Sequence, residues 1–309
     1  MTDPGQQPGH ESDLVRQQGW PCTEPAELEV AIDVGHVRVE LTDDATEVRV
    51  EVRHEPGADS PWEQGLTGLL NWLGSATSGG EAPPDAGAAA VRAAEITWTE
   101  DARRLVVRST QELPLRVVPL VVTVRAPARS RLAVRTGAGG VTVTGRAAWA
   151  AVRTGSGEAR IDEVDGAVEV TTGSGNVELG LIGGAANLRT GSGSISASSL
   201  SGATAVKAGS GDVTVGEAHA DLTVKTGSGD LLVADAFAGR FDLTTGSGRI
   251  RVGVHAGVAA ELDLTSGSGK ARSDLDVGGV APAEAPTLRI GGRTGSGDIR
   301  ITRAATAGV

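Results

Sequence analysis

Apolar and polar residues alternate with a period of two over most of this chain. From Glu27 the apolar positions run Leu28, Val30, Ile32, Val34, then Val37, Val39, Leu41, then Val48, Val50, Val52. Such alternation predicts half-buried strands, with Gly35 and the Asp43-Asp44 pair supplying turns. The pattern resumes at Ile96–Trp98, Leu105–Val107 and Val117–Val124. Between these stretches, residues 57–94 break the alternation. Trp62, Leu66, Leu69, Leu70 and Leu73 stand at i, i+4, i+7, i+8 and i+11, which predicts a short amphipathic helix. That stripe, with Trp72, is the candidate interaction patch and is expected to cover the open N-terminal end of the fold. The Gly/Ala/Pro-rich stretch from Gly74 to Ala90 reads as a flexible loop. Residues 1–26, polar and rich in Pro and Gly, read as a disordered tail, and residues 304–309 as a second tail.

From Leu132 the alternation acquires a longer period. The phrase Thr-Gly-Ser-Gly, or a close variant, places its first glycine at 137, 155, 173, 191, 209 and 227, always 18 residues apart. It returns at 246, 267 and 295. Aligned on this phrase, one apolar column reads Val134, Val152, Val170, Leu188, Val206, Val224, Leu243, Leu264, Ile290. A second reads Val141, Ala159, Val177, Ile195, Val213, Leu231, Ile250, Ala271, Ile299, and a third follows through Val143, Ile161, Leu179 to Ile301. One such unit cannot bury its apolar side, whereas stacked units turn each column into a continuous ridge. The predicted fold is all-β: a single-stranded parallel β-solenoid of about 18 residues per coil, spanning residues 27–303, with its repeats at 132–303 and a short helical insertion.

The glycine phrase reads as the corner of the coil, and the Thr column beside it as an inward hydroxyl ladder. Four coils carry a base with an acid five residues on: Arg153/Glu158, Lys207/Asp212, Lys225/Asp230 and Arg293/Asp298. This spacing predicts an ion pair across each of those corners. The last coil, Thr287–Ile301, has no obvious cap and is expected to present a free edge.

Composition narrows the function classes. A net charge of −11 argues against a nucleic-acid partner held by bulk charge. Ser266-Gly-Ser-Gly-Lys270 lacks P-loop spacing, and Ala271 stands where a hydroxyl would meet magnesium. The acids do not follow the calcium β-roll pattern, and Arg249 and Lys270 would repel a cation. The five His residues share no metal-like spacing, and aromatic residues make up only 2% of the chain, which provides no sugar-binding platforms. Cys22 has no visible activating partner. Catalytic, cofactor and metal residues are therefore all predicted to be none. The N-terminus shows no signal-peptide pattern and no segment is apolar enough to insert stably in a membrane, so the expected location is cytoplasmic, with the cell surface as the alternative.

The run Val121-Val-Thr-Val-Arg-Ala-Pro127, then Arg131-Leu-Ala-Val-Arg-Thr-Gly137, then serial T-G-S-G-D/N-V-x-V phrases resembles a bacterial family with β-strand repeats, a domain of unknown function labelled a putative adhesin. The resemblance implies a single-stranded β-solenoid, and a link to envelope-stress or regulatory systems. The expected function is a non-enzymatic interaction scaffold with a protein partner and possible self-association through the solenoid ends. The alternatives are a self-assembling filament, a surface adhesin and a polysaccharide-active enzyme.

Overall fold

The computed structural model describes residues 15–54, 86–275 and 286–305. Its strands form one continuous sheet wound into a β-solenoid. Each repeat coil contributes two short strands, one on either side of the glycine corner. The first column holds the N-terminal half of β7 (Arg131–Ala147), then β8 (Trp149–Thr154), β10 (Val168–Thr172), β12 (Ala186–Thr190), β14 (Thr204–Ala208), β16 (Leu222–Thr226) and β18 (Gly239–Thr245). The second holds the rest of β7, then β9 (Ala159–Val164), β11 (Val177–Ile182), β13 (Ile195–Leu200), β15 (Val213–Ala218), β17 (Leu231–Ala236) and β19 (Ile250–Val254). Neighbours within each column pair in parallel, in a register set by the 18-residue period: Val170 lies beside Val152 and Leu188, and Val177 beside Ala159 and Ile195.

The interior is aliphatic, as the columns predict. Val152, Val170, Leu188, Val206, Val224 and Leu243 are all buried, and Phe241 is the largest fully buried side chain. Each such side chain contributes about 1.5–3 kcal/mol on leaving water. No coil can collect that without a neighbour on each side.

The corners follow from backbone packing. A Cβ at Gly175 would lie 1.9 Å from the carbonyl oxygen of Gly157 in the preceding coil, so the second glycine of the phrase is required by close approach of two backbones. The Thr column points inward and is buried. Thr154 Oγ1 accepts from the Gly157 N–H at 2.9 Å and donates to the Gly139 carbonyl at 3.1 Å. Thr245 repeats this with Gly248 and Gly229, both at 3.0 Å. The hydroxyls therefore bond backbone of their own coil and of the adjacent one.

Stacking departs from chain order at the C-terminal end. The chain leaves β19 and forms β20 (Ala260–Ser266) and β21 (Ala271–Ser273), then returns as β22 (Leu288–Thr294) and β23 (Ile299–Arg303). Strand β22 pairs with β18 on one side and β20 on the other, and β23 lies likewise between β19 and β21. The last coil in sequence is thus the penultimate coil in space. This corrects the expectation of a free edge at Thr287–Ile301: among the described residues the terminal edge is the 260–273 coil. The physical reason lies in the side chains. Leu288, Ile290, Ile299 and Ile301 are buried in the inner slot, while Ala271 and Ser273 are exposed in the outer coil. The register also corrects the first apolar column. Ile290 lies beside Phe241, and Gly292, not Ile290, lies beside Leu243 and Leu264. A Cβ at Gly292 would sit 3.1 Å from Leu264 Cδ2, so a neighbour's side chain fills the space this glycine leaves.

The N-terminal end is also out of order. Strand β2 (Glu27–Thr42) runs unbroken along both columns and pairs with β7. Outside it lie β5 (Arg104–Arg108) in one column and β6 (Leu120–Pro127) in the other. Antiparallel strands finish the stack: β4 (Glu95–Thr99) on β5, and β3 (Glu47–His54) on β6, with β1 (Val15–Pro21) on β3. Residues 15–21, read from sequence as tail, are therefore a strand. The helix α1 (Ala86–Ala93) lies partly within the stretch read as a loop, which corrects that reading for residues 86–90. Its alanines have the highest helix propensity, and Ala88, Ala90 and Val91 are buried. Arg16 of β1 donates to the carbonyls of Arg92 at 3.3 Å and Ala94 at 2.7 Å, capping the helix C-terminus. Trp20 and Trp98 stack with ring centroids 5.6 Å apart, joining β1 to β4.

Candidate functional site

The sequence-derived patch, Trp62, Leu66, Leu69, Leu70, Trp72 and Leu73, lies outside the described residues. The repeated corner, the most conspicuous phrase of the chain, spends its Thr hydroxyls and glycine amides internally and leaves its Ser side chains exposed. The Thr hydroxyls are engaged as above, and the first corner glycine donates to its counterpart one coil back, as Gly173 N–H does to the Gly155 carbonyl at 2.9 Å.

The predicted cross-corner ion pairs do not form in any of the four coils. Adjacent coils lie about 4.8 Å apart, and charges pair along the stack. Arg153 reaches Glu169 at 3.1 Å, and Arg293 reaches Asp263 at 3.3 Å. The acids after the corner accept from backbone instead. Asp212 Oδ1 takes the Asp230 N–H at 2.7 Å, Asp230 Oδ1 takes that of Arg249 at 2.8 Å, and Asn176 does the same for Ser194 at 3.0 Å. The Arg249 backbone N–H holds the Asp230 carboxyl below the ordinary aspartate range, helped by the Arg249 guanidinium at 2.7 Å. Glu29 is lowered in the same way by hydrogen bonds from Arg108 and Arg104.

Three surface features bring chemistry together. His219, Phe237 and His255 form a stack with centroids 4.2 and 4.0 Å apart. His219 meets Glu217 at 3.3 Å and His255 meets Asp235 at 2.8 Å. Sequence reasoning treated the histidines singly and missed this stack, although all three residues occupy one coil position at the 18-residue period. A shallow groove of about 480 Å³ runs beside Ala167, Ala185 and Ala203, with Trp149 at one end and Asp221 at the other. The Trp149 ring carries the Arg131 guanidinium 5.3 Å from its centroid. The third feature is a polar concavity of about 390 Å³ on the outer face of β1, β3, β6 and β2. Arg38, Arg49, Arg53 and Arg125 line it with Glu40, Glu51, Gln17 and Thr123. Its parts alternate outward along predicted strands, but their meeting depends on antiparallel pairings that the repeat does not announce.

Among the described residues no cluster of three or more His, Cys, Asp or Glu is placed to hold a metal ion, and no helix is long and apolar enough to cross a membrane. Cys22 is buried, its thiol 3.2 Å from the Glu24 carbonyl.

Fold and repeat together define a parallel β-solenoid built on a glycine corner. Residues 168–302 match the family described as Toastrack DUF4097, which bears out over the repeat region the resemblance drawn from the sequence. A comparison with curated proteins found no match. Solved structures similar to the chain include a putative adhesin from Bacteroides fragilis, at 12% identity over 96% of this chain and 100% of that one, with a TM-score of 0.41. A putative adhesin from Parabacteroides merdae shows 11% identity over 93% and 95% of the two chains, with a TM-score of 0.37. One from Parabacteroides distasonis shows 12% identity over 93% and 96%, with a TM-score of 0.36. At these scores the likenesses carry no weight for this chain.

Proposed function

We propose that this protein is a non-enzymatic interaction scaffold, a rigid stack that presents binding surfaces where the repeat is interrupted. The observation that carries this reading is the internal use of the repeated phrase. Thr-Gly-Ser-Gly looks like a ligand loop, yet its Thr hydroxyls and glycine amides are bonded within and between coils. Contacts with a partner then fall to the N-terminal end and the terminal coil. The Trp62–Leu73 stripe is the candidate contact element for a protein partner, and a link to envelope-stress or regulatory systems belongs to this proposal.

In-cell cross-linking at native abundance tests it. The expected product is a discrete heteromeric species whose cross-links concentrate outside residues 149–254. Recovery of uncross-linked monomer alone, or turnover of any member of a polysaccharide panel, overturns it. Cell fractionation distinguishes a cytoplasmic scaffold from an adhesin at the surface, and sedimentation distinguishes either from a filament.

A further inference from the structure

The cross-corner pairs that fail to form leave bases uncompensated. Arg189 on β12, Lys207 on β14 and Lys225 on β16 are direct neighbours in parallel register. All three are exposed and have no carboxylate partner among the described residues. Like charges placed side by side on paired strands cost stability, so packing does not account for the row. Beside it stand the corner serines Ser192, Ser210 and Ser228, exposed and with no side-chain hydrogen bond among the described residues. Bases and hydroxyls thus form two parallel lines, each stepping about 4.8 Å per coil.

The surrounding acids do not neutralise the strip. Glu169 and Asp242, which stand at either end of the neutral row Asn187, Ala205 and Thr223, are paired with Arg153 and Arg240. Across the corner, Asp212 Oδ1 accepts the Asp230 N–H, and Asp230 is held by the Arg249 guanidinium. Counting those two acids and Arg249 with the row, four bases stand against two carboxylates and leave an excess of two positive charges. Residues 187–192, 205–210 and 223–228 include no aromatic side chain, so a neutral glycan or a single-stranded nucleic acid finds no stacking platform on them.

We infer that this strip binds an acidic polysaccharide, a polyuronate chain lying along the axis of the stack. A polyuronate carries one carboxylate per sugar ring, and a pyranose ring advances the chain by close to one coil spacing, so carboxylates and bases stay in step. An extended acidic peptide presents same-face side chains about 6.6 Å apart and falls out of step within two coils. The Ser hydroxyls bond the hydroxyls of the sugar rings. The strip lies within the regular repeat, away from the ends that serve a protein partner, so this inference goes beyond the scaffold reading and does not depend on it.

Calorimetric titration of the full chain with hexagalacturonate at low ionic strength is expected to give saturable binding that weakens as salt is added. The fully methyl-esterified hexamer, which keeps the rings and loses the charge, should not bind. Lys207→Gln should weaken binding about threefold, and together with Lys225→Gln about tenfold, the scale of exposed ionic contacts. Arg160→Gln, on β9 and paired with Glu178, should leave it unchanged. Thermal melts of the Lys variants should match or exceed those of the unsubstituted protein, because repulsion within the row is relieved. Capped hexaglutamate, with as many carboxylates, should bind more weakly than the uronate. Absence of saturable hexagalacturonate binding, or binding that survives in the folded double variant, overturns the proposal. So does a lowered melting temperature in Lys207→Gln, which would make the row structural. Hexaglutamate binding as tightly as the uronate overturns it too, and would assign an acidic protein segment instead.

Discussion

The hydroxyl of Thr294 donates to the carbonyl of Gly248 at 2.9 Å, across 46 residues of chain. Ser266, only 18 residues beyond Gly248, reaches instead to the Gly297 carbonyl at 2.8 Å. The hydroxyl ladder thus runs in spatial order, from 248 to 297 to 269, and records the insertion of the last coil between its two predecessors. The insertion also settles a charge conflict. In chain order Arg249 would stack on Lys270, whereas in space Asp298 lies between them and its Oδ1 accepts the Lys270 N–H at 2.8 Å.

Truncation tests this order directly. A chain ending at Leu275 loses β22 and β23, and with them the strands on which β20 and β21 pair among the described residues. Hydrogen exchange should then show loss of protection at residues 260–266 as well as exposure of β18 and β19. In the full chain, exchange should be slower at residues 288–294, which pair on both sides, than at 260–266, and the reverse order would mean that the coils stack in sequence. In the full chain, Ile301→Ala should cost about 2–5 kcal/mol. Ser273→Ala, in the exposed terminal strand, should stay within about 0.5 kcal/mol.

One coil lacks the hydroxyl of the ladder, because Ala208 stands in its place between Thr190 and Thr226. Ala208→Thr would supply a hydroxyl to the Gly211 N–H and the Gly193 carbonyl, and should raise stability in urea by about 1 kcal/mol. Thr190→Ala, which strands a buried Gly193 N–H now bonded at 3.0 Å, should lower it by about 1–3 kcal/mol. Equal effects of the two substitutions in sign would contradict the ladder.

Glycines of different kinds should respond differently to alanine. Gly175→Ala forces a Cβ against the backbone of the preceding coil and should cost about 3 kcal/mol or more. Gly257 has φ +83° and nothing within 4 Å of its would-be Cβ, so Gly257→Ala carries only the left-handed backbone penalty of about 1–2 kcal/mol. Urea midpoints for the two variants provide the comparison.

Acid should weaken the stack through Asp230. Its folded-state pKa is depressed, chiefly by the Arg249 backbone N–H, so its contribution is complete above the ordinary aspartate pKa and is lost as pH falls through the lower folded value. The side chain is 41% exposed, so the effect is modest. Asp230→Asn keeps an acceptor, as Asn176 does in its own coil, and should cost no more than about 1 kcal/mol at neutral pH. It should also flatten the stability profile at low pH, as measured by thermal melts. A profile as steep as that of the unsubstituted protein would locate the acid sensitivity elsewhere.

The period of 18, the apolar columns and the inward Thr were all legible in the sequence, because they are properties of one coil repeated. The His219–Phe237–His255 stack was legible too, had the same period been applied to the polar corner. The grouping of residues in the arginine concavity was not. Arg49 and Arg125 lie 76 residues apart by number and meet only because β3 turns antiparallel against β6. The cross-corner pairs failed for a related reason, since local spacing within a coil competes with neighbours about 4.8 Å away that the linear chain does not display.

By itself, then, the sequence determined the coil: its length, its buried face and the glycines at its corner, each dictated by alternation and by the close approach of backbones. Only the tertiary structure decided the order of coils at the two ends. Any coil offers the same ladder of N–H and C=O groups, so strand pairing alone does not distinguish one neighbour from another. What distinguishes them is burial, which draws Ile299 and Ile301 into the inner slot and leaves Ala271 and Ser273 at the edge.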